Sequence, residues 1–290
     1  MKNILIIGFT GFIGKALYEE LKKNSLNYNI ITFDSKRHKI EDKTSLINYD
    51  SFNIDHVFHL AGKSSVIESW VSPYEYFQTN VIGTINVLEF CKRNKCTLTF
   101  VSSYLYGIPN SLPIYESAPL NCMNPYAQTK YLSELNCDFY SQNHNLEIVI
   151  LRLFNAYGPG QNKSFLIPTI IEQTLNDKQD KLYINDLAPR RDFVYIDDIV
   201  RALIASINKK SERYNISSGV SYSVQEIIDF VFKITGIRKE IIEKNNIRKN
   251  EINDLYGNSD KIKVDFDWQP EVNFEFGLTK CIEFYQKKNI

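Results

Sequence analysis

Tyr126 and Lys130 stand four residues apart in Asn124-Pro-Tyr-Ala-Gln-Thr-Lys130, and Ser102 lies upstream in Phe100-Val-Ser-Ser-Tyr-Leu-Tyr-Gly107. A free phenol titrates near pH 10, too high for efficient proton exchange at pH 7. An ammonium one helical turn away favours the phenolate and is expected to lower that value. Ser102 falls at the C-terminal end of an apolar run, Leu98-Thr-Phe-Val101, where open α/β sheets place their ligands. Its hydroxyl is suited to hold the substrate oxygen that Tyr126 protonates; forming a turn is its simpler role. Tyr-x-x-x-Lys arises by chance in a chain with 18 tyrosines, so the pair takes its weight from its company.

The most telling companion is Gly8-Phe-Thr-Gly11-Phe-Ile-Gly14, between an apolar run and a helical pattern. Glycines there let the backbone turn tightly and approach a pyrophosphate, while the helix N-terminus offers free N–H groups. The spacing is Gly-x-x-Gly-x-x-Gly rather than Gly-x-Gly-x-x-Gly, and alone it equally serves strand-to-helix packing. Asp34 follows Gly14 by ~20 residues, at the end of a second strand, where a carboxylate accepts from an adenosine ribose. Capping a turn is its alternative role. A carboxylate there repels a 2′-phosphate, which favours NAD; Lys36 and Arg37 keep NADP possible. Proton-transfer residues beside a dinucleotide site point to hydride chemistry at a carbinol or ketone.

The elements that must position these residues alternate. Asn3–Ile7, Ile30–Phe33, His56–Leu60, Leu98–Val101 and Glu147–Leu151 read as strands. Helical patterns run over Lys15–Lys23, Val81–Lys92, opened by Asn80, and Tyr126–Tyr140. This alternation predicts a doubly wound parallel sheet of the Rossmann type over residues 1–157. A strand and helix near 193–207 are expected to return to that lobe. The remainder of 158–290 is read as a smaller, irregular α/β lobe for the substrate. It holds helices over Leu166–Leu175 and Val224–Thr235, the second stopped by Gly236.

Bulk properties narrow the function further. The 34 basic residues balance 34 acidic ones, so no global field draws the 290-residue chain to nucleic acid or an anionic membrane. No run approaches the roughly 18–20 apolar residues of a membrane span. The apolar start, Ile4–Gly14, is punctuated by glycine and reads as strand and turn rather than a targeting segment. Five cysteines, odd in number and without Cys-x-x-Cys spacing, read as free thiols in a reducing cytosol, and no metal site is expected.

Other segments occur in a telling order: His59-Leu-Ala-Gly62, Asn80-Val-Ile-Gly-Thr84, Ser102–Gly107, Tyr126-x-x-x-Lys130, Arg152–Gly160, Arg191–Asp198 and Trp268-Gln-Pro270. With the glycine motif, this set resembles the extended short-chain dehydrogenase/reductase family of nucleotide-sugar epimerases, dehydratases and ketoreductases, over nearly the whole chain. The resemblance makes Ser102 the catalytic hydroxyl, Tyr126 the acid/base and Lys130 its partner, which also binds the nicotinamide ribose. It assigns Gly8, Thr10, Gly11, Phe12, Ile13, Gly14, Asp34, Leu60, Ala61, Gly62, Asn80 and Phe154 to NAD. Asn80 would brace the cofactor-side loop, with a helix N-cap as its alternative role. Ser64, Ser65, Ser103, Tyr104, Asn155, Arg191 and Arg248 fall at substrate positions. A guanidinium grips phosphate through two hydrogen bonds, so Arg191 and Arg248 suit the diphosphate of a nucleotide-diphosphate sugar. Either arginine is otherwise a surface ion-pair residue. His59 reads as packing at a strand end. A homodimer, through helices near Val81–Lys92 and Tyr126–Tyr140, is implied by analogy.

The resemblance also orders the reactions. The family's 4,6-dehydratases carry acidic residues after the catalytic hydroxyl, where this chain has Ser103 and Tyr104, which disfavours dehydration. A 4-ketoreductase and a 4-epimerase need the same three residues. Lys63–Trp70 resembles a loop of GDP-4-keto-6-deoxymannose reductases, and Arg248–Ile252 a segment of short 4-keto-6-deoxyhexose reductases; both favour reduction. Asp34, suited to a retained NAD, favours epimerisation. A third reading, an inactive NAD(P)-sensing relative, is disfavoured by retention of the Tyr/Lys pair.

Overall fold

A computed structural model describes residues 1–244 and 251–288. The first half alternates as its apolar runs require. In chain order it comprises β1 (Lys2–Ile7), α1 (Phe12–Lys23), β2 (Tyr28–Thr32), β3 (His56–His59), α2 (Val66–Val71), α3 (Pro73–Tyr76), α4 (Gly83–Asn94), β4 (Thr97–Ser103), α5 (Pro125–His144) and β5 (Ile148–Leu153). Then follow β6 (Asn155–Tyr157), α6 (Leu166–Leu175), β7 (Lys181–Ile184), β8 (Arg190–Tyr195), α7 (Ile196–Ala205), β9 (Glu212–Ile216), β10 (Ser221–Ser223), α8 (Val224–Thr235), β11 (Glu240–Glu243), α9 (Asp260–Phe266) and α10 (Phe274–Lys288).

Six strands form one parallel sheet in the order β2-β1-β3-β4-β5-β9. Both faces are covered. Ile4, Ile6, Val149 and Leu151 pack with Leu17, Ile199 and Leu203 on one side, and Leu5, Ile7, Phe100 and Ile150 with Val87, Leu88 and Cys137 on the other. Each such residue, fully buried, contributes about 1.5–3 kcal/mol by transfer from water, so the continuous apolar runs stabilise a two-faced sheet and no other. The chain leaves β1 for β2 on one side and returns to β3 on the other. That reversal opens a crevice above the C-terminal ends of β1 and β3, where Gly8 and Leu60–Gly62 lie.

Two local expectations differ from the structure. The helix read as opening at Asn80 begins earlier: helical backbone runs from Pro73 through a π-helical stretch, Phe77–Ile82, into α4. Asn80 is therefore buried mid-helix and caps nothing. The strand near 193 pairs with β6 and β10 in a small three-stranded sheet; the sixth strand of the large sheet is β9. Its Glu212-Arg-Tyr-Asn-Ile216 is only half apolar, because it lies at a sheet edge and its outer end meets solvent. The helix read there, α7, does pack against α1.

The C-terminal elements dock on α7 through Asp198. This buried carboxylate accepts from Arg201 and from the Glu271 and Val272 N–H groups, while its carbonyl accepts from Trp268 Nε1 at 2.9 Å. Among the described residues, no helix is long and apolar enough to cross a membrane.

Candidate active site

The site is built where β4 meets the start of α5. Asn124 caps α5, accepting from the Ala127 N–H at 2.8 Å, and Pro125 occupies its first turn with a pre-set φ. Tyr126 is thereby fixed in the first turn and Lys130 one turn later. The Lys130 ammonium donates to the Val101 carbonyl at 2.8 Å and lies 4.7 Å from the Phe100 ring centroid. Ser103 hydrogen-bonds the Tyr126 phenol. Both ties flank Ser102, whose hydroxyl is buried without any hydrogen-bond partner. A buried hydroxyl left unpaired costs free energy that a ligand oxygen would recover.

The electrostatics depart from the expectation of a lowered phenol pKa. Burial pushes Tyr126 up to about 12, and Ser103 alone acts against it. Lys130 is itself desolvated, and burial lowers its ammonium to about 8. In this state the site holds a protonated phenol beside a lysine near its titration point.

Behind Lys130 lies an ordered polar cluster. Asn80 accepts from the Lys63 N–H at 2.8 Å and donates to the Lys63 carbonyl and the Thr129 hydroxyl, each at 3.0 Å. The loop over 60–63 is braced by these bonds. Thr84 donates its only hydroxyl proton to the Asn80 carbonyl at 2.6 Å, so at 3.0 Å it must accept from His59 Nε2. His59 is a neutral imidazole, held down to about 3 by burial and then by Lys130, consistent with packing rather than proton transfer.

The crevice residues fit a dinucleotide. Gly8 has φ +98°, and a Cβ there would meet Ala61 N at 2.6 Å; one on Gly14 would meet Gly8 O at 2.2 Å. The turn thus packs closely enough for backbone to meet a ligand, and Gly11 leaves the start of α1 without a side-chain cap. Thr10 is exposed at this turn, with Phe12, Ile13, Leu60 and Ala61 half-buried around it. Gly62 lies against Asn80 and Lys130. Asp34 plays its turn role, accepting from the Lys36 N–H at 3.0 Å, and pairs with Arg37 at 3.4 Å, yet keeps 44% of its side chain exposed. Both of its roles are therefore compatible.

The substrate-side residues divide. Tyr104 stacks on the buried Phe154 at 5.4 Å and donates to Asn155 Oδ1 at 3.3 Å; Asn155 donates to the Asp192 carbonyl at 2.9 Å. These three line one wall, and neither Ser103 nor Tyr104 offers a carboxylate. Ser64 is exposed, and Ser65 caps α2 by accepting from the Glu68 N–H at 3.2 Å. Arg191 is engaged by the Glu251 carboxylate and by the Arg190 carbonyl at 2.8 Å, which makes it an ion-pair residue here. Arg248 lies outside the described residues. Arg152, Glu134, Thr129 and Ser133 form buried contacts beneath the site to which sequence reading gave no role; spacing from Tyr126 and Lys130 was the available signal for the last three. No group of three or more His, Cys, Asp or Glu among the described residues is arranged to hold a metal.

A lysine whose folded pKa is depressed destabilises the fold while protonated. Below about pH 8 both states carry the proton; from there towards 10.5 the unfolded state holds more protons, so Lys130's contribution to stability rises with pH. Lys130→Met is therefore expected to be more stable than the parent at pH 7, by about 1–3 kcal/mol after loss of the Val101 bond. The advantage should shrink as pH rises from 8 towards 10.5, measured by urea unfolding of both proteins. An advantage that does not change with pH would contradict the assignment.

The comparisons agree with this geometry. The family model for GDP-mannose 4,6 dehydratase matches residues 35–281. A UDP-glucuronate 4-epimerase from Thermodesulfobacterium geofontis is 32% identical, over 83% of this chain and 75% of that protein. The GDP-6-deoxy-D-mannose reductase of Pseudomonas aeruginosa is 26% identical, over 99% and 98%. Two solved structures superpose with TM-score 0.92 at 26% identity, covering 99% of this chain and 100% of theirs: Thermotoga maritima UDP-glucose 4-epimerase with UDP-glucose, and RMD from Pseudomonas aeruginosa with NADPH. With its parallel sheet, glycine turn and Ser102/Tyr126/Lys130 cluster, the chain belongs to the extended short-chain dehydrogenase/reductase family of nucleotide-sugar epimerases, dehydratases and reductases.

Proposed function

We propose that the protein acts at C4 of a nucleotide-diphosphate sugar and runs as a reductase of an NDP-4-keto-6-deoxyhexose. The observation that carries this reading is the buried, unpartnered Ser102 hydroxyl, next in the chain to Ser103, which hydrogen-bonds the Tyr126 phenol. Reduction is favoured over epimerisation by the Lys63–Trp70 segment, which resembles a loop of GDP-4-keto-6-deoxymannose reductases, and by the similarity to the Pseudomonas aeruginosa GDP-6-deoxy-D-mannose reductase. A bound nicotinamide supplies the hydride, from NADH in preference to NADPH given Asp34. Ser102 donates to the C4 carbonyl oxygen and orients it. Tyr126 delivers its proton to that oxygen as charge builds there, and Lys130 stabilises the phenolate left behind. Asn80 keeps the 60–63 loop in register with Lys130. The sugar lies against the wall of Tyr104, Phe154 and Asn155; Arg191, once released from Glu251, is a candidate for its diphosphate, as is Arg248 by the resemblance alone.

A second reading, a 4-epimerase that retains NAD, is favoured by the Asp34 carboxylate and by the epimerases among the relatives. It uses the same residues, with Tyr126 first accepting the C4 hydroxyl proton.

We also place the protein in the cytosol as a homodimer. Ile82 beside α4, and Leu135 and Phe139 on α5, are 43%, 44% and 55% exposed, and they belong to neighbouring, mutually packed helices. A second copy would cover this apolar surface. Sedimentation should give a dimer for the parent and a folded monomer for Leu135→Glu/Phe139→Glu; a parent that sediments as a monomer would remove the proposal.

The direct assay offers dTDP-, GDP-, CDP- and UDP-linked 4-keto-6-deoxyhexoses with NADH or NADPH. One reduced cofactor consumed per sugar is the expected result. No consumption, with interconversion of UDP-hexoses by protein carrying near-stoichiometric NAD, would instead select the epimerase. Tyr126→Phe should lower kcat by about 10² or more with an unchanged circular dichroism spectrum. Near-normal turnover in that variant would remove Tyr126 as the acid.

A further inference from the structure

The ladder places Ser102 in register with Arg152 of β5, and Arg152 in register with Asn215 of β9. Paired residues on parallel strands project to the same face, so the three side chains share the face covered by α5. Arg152 is 1% exposed and forks onto Glu134 of α5: Nε lies 3.1 and 3.2 Å from its two oxygens, and Nη2 2.6 Å from one. Nη1 donates to the Tyr106 hydroxyl at 3.1 Å, and that hydroxyl donates to Asn215 Oδ1 at 2.5 Å. Glu134 lies one helical turn beyond Lys130 and two beyond Tyr126.

We propose that the Arg152–Glu134 pair is a positioning device for the reaction, locking the rung that carries Ser102 to the helix that carries Tyr126 and Lys130. The proposal rests on the functional reading above. Buried ion pairs are poor stabilisers, since well-packed apolar residues often serve the fold as well or better. What a two-point guanidinium–carboxylate fork adds is orientation. Here it removes sliding and rolling of α5 against β5, the motions that would open the gap between Ser102 and the phenol. An error of ~1 Å in that gap is enough to cost about 10² in rate.

The pair has a second effect through charge. The titratable groups around Lys130 are Tyr126, Glu134 and Cys137 on α5 and His59 on β3, with Arg152 of β5 behind Glu134. His59 is neutral, and burial keeps the Cys137 thiol protonated. Against the burial that lowers the Lys130 ammonium, Cys137 and then Glu134 raise it; with that thiol protonated, Glu134 is the carboxylate that opposes loss of the Lys130 proton.

Glu134→Gln keeps the shape and removes the charge. It is expected to lower kcat at least ten-fold with KM within two-fold of the parent. It should also move the titration of Lys130 to lower pH, followed by NMR of 13C-lysine-labelled protein with Lys130→Met assigning the signal. A merely structural role would leave that titration in place. If Glu134→Gln fails to fold, the doubly neutral Glu134→Gln/Arg152→Gln removes the stranded charge, and this folded variant should still lose kcat ten-fold. Parental kcat in either folded variant, or an unmoved Lys130 titration in Glu134→Gln, would overturn the proposal. A parent that turns over no nucleotide sugar would sink the functional reading alone, with the titration still deciding the pair.

Discussion

Keeping a lysine inside the protein next to a phenol is the constraint around which the rest is arranged. Lys130 is buried, and burial disfavours its charged form. The structure answers with the Val101 carbonyl, the face of Phe100 and the Glu134 carboxylate. Each of these needs its own support: the strand end must be exactly registered with β5, the helix must start at Asn124, and Glu134 must itself be neutralised by Arg152. The parallel sheet supplies that support, because its strands end together at one edge and its helices begin there.

The same desolvation acts on the phenol. Burial raises the Tyr126 phenol to about 12, and the Lys130 ammonium is what stabilises the phenolate once the proton has left. The residues do not distinguish a reductase from an epimerase by identity, since both need Ser102, Tyr126 and Lys130. They differ in whether the crevice by Asp34 lets its nucleotide go.

What was legible in the sequence is what short-range chemistry dictates. Tyr126 and Lys130 could be read because a helix brings i and i+4 together, and Asn124-Pro125 announces where it starts. Gly8, Gly11 and Gly14 could be read because a tight turn admits little else. Ser102 required only the position of a strand end. The rest depends on pairings between distant segments. Arg152 reads only as the start of the Arg152–Gly160 segment, past the end of the expected strand, until the ladder sets it beside Ser102. Asn80 has two readings in the sequence, a brace implied by the resemblance and a helix cap, and the π-helical turn and the contact with Lys63 decide for the brace. Arg191 has the right chemistry for a phosphate, but its place beside Glu251 comes from a segment 60 residues away. The strand β9 was invisible because an edge strand need not be apolar throughout.

The account's central claim is hydride delivery to C4 with Tyr126 as the proton donor. The most direct measurement follows deuterium from [4,4-2H2]NADH into the sugar product by proton and carbon NMR, in both the parent and the Tyr126→Phe variant. The expected result is one deuterium per product, at C4 alone, formed quickly by the parent and slowly by the variant. Deuterium at any other carbon, or none in a product the parent plainly makes, would contradict it.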